Sequence, residues 1–193
     1  MLNVILMGGN GYLGRNFVAQ WLQNTTDDVH FYVLSRSGKN QQVIPAVTTL
    51  AVDVTDEEAV LAKIPEQVDY IVDFVGAPNK DPHVFKKLNQ QPAHVMRQVA
   101  EKKHCRAMGF VGGVLGPKQF TSTKKQLIKY LQESTIPLAY VEPTLVYGAG
   151  RHDPMTRNVP VLKFLGIFSK KFKPVLVGDV VNELREKLVK AGR

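Results

Sequence analysis

A continuous apolar run, Asn3-Val4-Ile5-Leu6-Met7, passes straight into Gly8-Gly9-Asn10-Gly11-Tyr12-Leu13-Gly14 and then into a stretch carrying Phe17, Val18, Trp21 and Leu22 at three-and-four spacing. The run has the pattern of a strand covered on both faces. The stretch has that of an amphipathic helix from Gly11 to about Gln23. A strand tied to a helix through so many glycines leaves few architectures open. In such a turn one glycine permits a tight bend, another lets the backbone approach a pyrophosphate, and a third lets helix and strand pack closely. Gly8, Gly11 and Gly14 stand at those places. The N–H groups and dipole at the helix start then favour phosphate. Such a turn can also merely close a corner. The amphipathic helix behind it, and a second strand ending in Ser35-Arg36-Ser37, favour a bound dinucleotide.

The tip of that second strand bears on which dinucleotide. A carboxylate there suits a free ribose 2′-hydroxyl, whereas an arginine accommodates a 2′-phosphate. The chain offers Arg36, with Ser35, Ser37 and Lys39 nearby and no acid. A guanidinium matches phosphate in charge and in fork geometry. The expectation is NADP(H) in preference to NAD(H).

Downstream, short β-branched runs alternate with helical stretches. Strands are predicted at Val29–Leu34, Thr48–Val52, Tyr70–Val75, Ala107–Val111 and Leu138–Val141. A short helix opens at Asp56-Glu57-Glu58, whose acids suit its positive end. A long one spans Asp81 to about Lys103, and Pro92 within it calls for a late start, a kink or a break. Thr123–Glu133 is a helix carrying Lys124, Lys125 and Lys129. Near the end come Val175-Leu176-Val177 and a helix from Val180 to Lys190. Strands separated by helices make parallel β-α-β units. The expected fold class is therefore α/β, a doubly wound parallel sheet with helices on both faces. One domain is expected over residues 1–193, with the core in 1–150 and a cap over the ligand edge in 151–193.

Composition narrows the setting. A content of 44% hydrophobic and 22% charged residues over 193 positions suits one globular core. No apolar run approaches the roughly 20 residues that span a bilayer. The N-terminus enters a strand-like run with no basic region ahead of it, so no signal peptide is expected, and a cytoplasmic setting follows. Cys105 is the lone cysteine and is expected to be buried and inert; five scattered histidines show no ligand spacing, so no metal is expected. The net charge of +8 is uneven. Residues 1–150 hold 15 Lys and Arg against 13 Asp and Glu, whereas residues 151–193 hold 10 against 4. The basic end is expected to be a solvated face or a protein-partner surface. Nucleic acid is not expected, because no nucleic-acid module accompanies the charge.

Beyond the turn, several segments resemble the atypical short-chain dehydrogenases/reductases, in their NAD-dependent epimerase/dehydratase-like or nitrogen-metabolite-repression-regulator-like branch. The spacing of Gly8, Gly11 and Gly14 is similar to that family's first turn. Asp53-Val54 resembles its adenine-contacting pair, and Phe74-Val75-Gly76-Ala77 the strand end beside the cofactor. Leu88-Asn89 matches a position that often holds a structural asparagine. Glu142-Pro143-Thr144-Leu145-Val146-Tyr147-Gly148 resembles its Arg-Pro-x-x-Val-Tyr-Gly segment near the nicotinamide. Pro174 to Val181 resembles its late Pro-x-x-Val-x-Asp-Val run. The resemblance implies a Rossmann-type domain, nearly the whole of it present. Cofactor-contacting positions would be Gly8, Gly9, Asn10, Gly11, Tyr12, Leu13, Gly14, Ser35, Arg36, Asp53, Val54, Val75, Gly76, Lys124 and Pro143.

The departures bear on chemistry. Active members of the family use a tyrosine as proton donor, a lysine four residues on that holds ribose, and a serine that orients substrate. In this chain Lys124 matches the lysine, Phe120 stands at the tyrosine position and Gly113 at the serine position. Phenylalanine has no proton to give. Thr121, Ser122 and Thr123 are weak candidates to replace the hydroxyl, and no catalytic residue is assigned. Glu142 replaces the family's arginine; it would face the nicotinamide amide or pair with a lysine. Met155, Phe164, Phe168 and Phe172 would be core or line an acceptor pocket. Three functions compete. The first is NADPH-dependent reduction of a small flavin- or quinone-like electron acceptor. The second is a non-catalytic NADP(H)-binding regulatory or accessory protein. The third, ranked last, is a relative of the sugar-nucleotide epimerases and dehydratases.

Overall fold

The computed structural model describes residues 1–38, 44–150 and 174–193. Lys39, Met155, Phe164, Phe168 and Phe172 lie outside the described residues. The elements run β1 (Leu2–Met7), α1 (Tyr12–Gln23), β2 (Val29–Ser35), β3 (Val47–Ala51), α2 (Glu57–Leu61), β4 (Tyr70–Asp73), α3 (Pro82–Lys102), β5 (Ala107–Val111), α4 (Lys118–Gln132), β6 (Leu138–Val141), β7 (Val146–Tyr147), β8 (Val175–Leu176) and α5 (Val177–Ala191). Six strands form one parallel sheet in the order β3-β2-β1-β4-β5-β6. The doubly wound α/β expectation holds. The order reverses direction between β1 and β4, which is where sheets of this type bind ligands, at the carboxyl ends of their strands.

Strand periodicity sorts the core into two halves. In β1, Val4 and Leu6 face one side and Ile5 and Met7 the other, all four fully buried. On the first side Phe17, Val18 and Trp21 of α1 meet Val180, Val181, Leu184 and Leu188 of α5. Trp21 is packed edge-on against Phe17 and Phe31 at ring separations of 5.3 and 5.7 Å. On the second side Val95, Met96 and Val99 of α3 join Leu127, Ile128 and Leu131 of α4.

Several boundaries depart from the sequence expectation. β4 stops at Asp73 rather than Val75, because the Val75 N–H turns back to the Asp73 carboxylate at 2.7 Å. α4 starts at Lys118, ahead of Thr123, with Pro117 entering it at φ −55°. α3 neither starts late nor breaks at Pro92. Asp81 caps it by accepting from the His83 and Val84 N–H groups, Pro82 occupies the first turn, and Pro92 itself is buried. The apolar face that α3 buries offsets the hydrogen bond lost at Pro92. Of the expected cap, residues 174–193 are described. β8 pairs with β7, a two-residue strand too short to show a pattern, and α5 begins at Val177 and covers the α1 side of the sheet. Residues 151–173 of the expected cap lie outside the described residues.

Trp21→Ala removes the largest fully buried side chain. It is expected to lower unfolding stability by about 3–5 kcal/mol, measured by urea unfolding followed by circular dichroism. A loss under about 1 kcal/mol would contradict this account of the first core half.

Candidate functional site

The glycine turn sits at the carboxyl end of β1, between β2 and β4. Gly8 has φ +71°, and a Cβ there would lie 2.8 Å from Val75 Cγ2. Its N–H bonds Leu34 O at 3.1 Å, and the Gly11 N–H closes the turn on Gly8 O at 3.0 Å. Gly14 lies in the first turn of α1, directly against Gly9, so that a Cβ would come within 2.5 Å of Gly9 Cα. The bend and the close helix approach therefore fall to Gly8 and Gly14, as expected. Gly11 is the N-cap residue, no side chain caps the helix, and its first turn has no acid. An anion meets no competing carboxylate there.

Polar links fix this turn to its neighbours. Asn10 Nδ2 donates to Ser35 Oγ at 3.0 Å, and Ser35 Oγ also accepts from the Gly38 N–H at 3.2 Å. Tyr12 donates its hydroxyl to Gly148 O at 2.9 Å. Tyr12 thus ties the turn to the segment after β7, and Leu13 packs against the first core half.

A cavity of about 480 Å³ opens beside the turn. It brings together Gly8, Ser35, Arg36, Asp53, Val54 and Val75 from the expected set. Arg36 is exposed at its rim and forms no hydrogen bond or ion pair with a described residue. Asp53 is held firmly: its Oδ1 accepts from the N–H and hydroxyl of Thr55 at 3.0 and 2.8 Å, and its Oδ2 pairs with Lys87 at 3.1 Å. Partial burial pushes its carboxyl up, but Thr55 and Lys87 outweigh this and hold it below its usual range. Thr55 and Lys87 also line the cavity and were not anticipated from sequence. The signal for Thr55 was an Asp-x-Thr spacing. Lys87 offered none, since it meets Asp53 only through the tertiary fold. The turn, the uncapped helix start, a guanidinium unpaired among the described residues and the cavity together fit a dinucleotide.

The other half of the site lies around Lys124. This lysine is only 3% exposed. Its Nζ donates to Val75 O at 3.2 Å and lies 4.5 Å from the Phe110 ring centre and 5.9 Å from that of Phe120. Burial lowers its pKa from the ordinary lysine value, and Asp73 pulls it partly back. Gly76 borders the same point, where a Cβ would lie 2.7 Å from Nζ. Asn89 is fully buried and donates to Ala77 O and Phe85 O, both at 2.9 Å, so it fixes the chain beyond Gly76. Phe120 faces Gly113: a Cβ on Gly113 would lie 3.6 Å from Phe120 Cε1. The two departures from the family pattern are thus adjacent in space. Thr121 and Ser122 donate their hydroxyls to Lys118 O and Gln119 O at 3.2 and 3.0 Å, and Thr123 is buried. Neither of the first two hydroxyl protons is available for a substrate.

Other expected positions fall outside the cavity. The Pro143 carbonyl accepts from the Val114 N–H at 3.4 Å and links the β5 and β6 ends. Glu142 is exposed and pairs with no described lysine. Among the described residues no cluster of His, Cys, Asp and Glu could hold a metal, and no helix is long and apolar enough to cross a membrane.

The sequence model of the NAD dependent epimerase/dehydratase family matches residues 4–116. Among solved structures, the enzyme WbmF of Bordetella bronchiseptica in complex with NAD+ is similar at TM-score 0.69 and 19% identity, over 95% of this chain and 68% of that one. A UDP-glucose 4-epimerase is similar at TM-score 0.73 and 15% identity, over 97% and 72%. A tyrosine-to-phenylalanine variant of ElxO with NADPH bound is similar at TM-score 0.74 and 18% identity, over 97% and 91%. At these identities the likeness is one of fold. No curated protein matches the sequence.

Burial pushes the Cys105 thiol up to about 12, and the residue is 3% exposed. The folded protein is expected to resist a thiol reagent at mildly alkaline pH and to react fully once unfolded in urea. Rapid labelling of the native protein, followed by mass spectrometry, would contradict this.

Proposed function

The chain belongs to the NAD dependent epimerase/dehydratase family, and from that premise we propose that it binds NADP(H) and reduces a flat acceptor of flavin or quinone type. The observation that carries this reading is the pairing of Phe120 with Gly113 beside an intact dinucleotide half. The glycine turn, the cavity beside it and Lys124 support binding, while the two hydroxyls that would serve a carbonyl or sugar substrate are replaced. A nicotinamide, when bound, supplies hydride. The chain's own residues then have only to orient the two rings and exclude side reactions. A quinone or flavin takes its proton from water, so Phe120 is no obstacle. Phe85 and Phe120, with Pro78, Pro117, Asn79, Gln119 and Lys80, line a second cavity of about 650 Å³ beyond Gly76. Its aromatic and proline walls suit a planar ring system.

Preference for the 2′-phosphate rests on Arg36 at the rim of the first cavity. Among the described residues this guanidinium has no partner to give up. Loss of such a charged contact costs about 1.5–3 kcal/mol. Arg36→Ala is therefore expected to weaken NADPH by about 10- to 100-fold while leaving NADH nearly unchanged, in a fluorescence titration of both nucleotides. Equal weakening of the two would remove the 2′-phosphate role.

A second reading shares the same observation. Loss of both hydroxyls is also what a non-catalytic NADP(H)-binding accessory protein would show, with the basic segment 151–193 as its partner surface. Steady-state assays separate the two. Purified protein is expected to oxidise NADPH with at least one member of a panel of free flavins and quinones. NADPH binding without turnover on any of them would favour the accessory reading. A sugar-nucleotide reaction, as the similar fold of a UDP-glucose 4-epimerase suggests, would need a proton carrier where Phe120 stands.

A further inference from the structure

The dinucleotide reading makes no use of Asp73. It is the last residue of β4, an interior strand, paired in register with Met7 of β1 and Phe110 of β5. Its side chain is fully buried. Oδ1 accepts from the Val75 N–H at 2.7 Å, whereas Oδ2 is buried and accepts from no described group. A carboxylate in that state is costly unless a cation stands near it. The nearby cation is Lys124, whose Nζ lies over the ring of Phe110, the cross-strand partner of Asp73. Asn89 Oδ1, a second buried oxygen without a partner, faces the same point beside Gly76.

We propose that Asp73 is a positioning residue for dinucleotide binding: from the end of the central strand its carboxylate keeps charged the Lys124 ammonium that the Val75 carbonyl holds beside Gly76. The proposal rests on the reading of Lys124 as a ribose-binding residue. Each group needs the other. Lys124 is enclosed by the Phe110 and Phe120 rings, the Val75 carbonyl and Gly76, an environment that favours the neutral amine. Asp73 is the one charged group among the described residues that acts in the opposite direction. Burial likewise raises the Asp73 carboxyl to about 6, against the pull of Lys124 and the Val75 hydrogen bond. No other described charge bears on either; the neighbouring groups are Asn89 from α3, Phe110 from β5 and Phe120 from α4. A side chain at Gly76 would strike the ammonium at 2.7 Å.

The test is an NMR titration of the full chain labelled at its lysine side chains, across the neutral and alkaline range, together with NADPH binding. Lys124→Met identifies the Lys124 resonance by its disappearance. In Asp73→Asn, which keeps an acceptor for the Val75 N–H, the Lys124 midpoint is expected to fall by about one pH unit or more, roughly tenfold in proton affinity. NADPH binding in that variant is expected to weaken with rising pH at a correspondingly lower midpoint. Adding Asp73→Asn to Lys124→Met is expected to cost no further affinity, since the carboxylate acts only through the amine. An unmoved Lys124 midpoint overturns the proposal and leaves the part of Lys124 in binding intact. Unchanged NADPH affinity in Lys124→Met overturns the ribose reading, and with it the link from Asp73 to binding. Should Asp73→Asn fail to fold, Lys124→Met alone carries the test: without the ammonium the Asp73 carboxyl should titrate higher than in the parent protein. An unchanged carboxyl midpoint would again overturn the proposal.

Discussion

The close approach of α1 to β1 at Gly9 and Gly14 is the contact on which the rest of the structure depends. The backbone of Gly14 lies against that of Gly9, with no room for a side chain on the helix residue. This crossing sets where α1 starts and therefore where its uncapped N-terminus points. It also seats Phe17, Val18 and Trp21 on the sheet, where α5 packs over them. One backbone contact thus fixes both the first core half and the anion-binding end of the helix. The positive φ of Gly8 serves the same arrangement by turning the chain out of β1 before the helix begins.

The two halves of the site differ in how their polar groups are satisfied. Around the cavity beside the glycine turn, side chains are cross-linked: Asn10 to Ser35, Asp53 to Thr55 and Lys87. These contacts are partly exposed, so each contributes little to stability. Their effect is geometric, because they hold the ends of β2 and β3 around one cavity. Around Lys124 the polar groups are buried and incompletely paired. Among the described residues Asp73 Oδ2 and Asn89 Oδ1 have no partner, and the ammonium has one carbonyl. Unsatisfied buried groups of this kind lower the stability of a fold and are concentrated where a site does something.

Much of this was legible in the sequence where a pattern is local. The β1 run, the glycine turn and α1 each carry their own signal, and β5 and β6 are bounded as expected. Arg36 could be placed at the cavity because strand tip and turn are fixed by that same local frame. What depended on tertiary packing was not legible. Pro92 reads as a helix breaker, yet the buried face of α3 outweighs one missing hydrogen bond. β7 and β8 have two residues each and gain their order only from one another. Lys87 meets Asp53 across two elements. The basic end illustrates the same limit: its charge was visible, but α5 proved to be part of the core. Asp73 did leave a trace, as a carboxylate inside the apolar run Tyr70–Val75, and the trace lacked meaning until Lys124 was seen beside it.

The exchange of tyrosine for Phe120 changes more than the supply of a proton. A phenol beside Lys124 would compete for the ammonium and bring solvent-compatible chemistry to the site. A phenyl ring instead offers a face to the cation, as Phe110 does from below. Two rings attract an ammonium without accepting a hydrogen bond, so they leave its charge to be balanced elsewhere. The balance has to come from a group inside the sheet, since the lysine is only 3% exposed. Asp73, fully buried on the strand that faces the cofactor edge, is the described carboxylate in that position. On the proposal that Asp73 keeps Lys124 charged, Phe120, Lys124 and Asp73 act together. The loss of the hydroxyl and the presence of a buried acid are two sides of how this chain keeps a cation beneath its dinucleotide cleft.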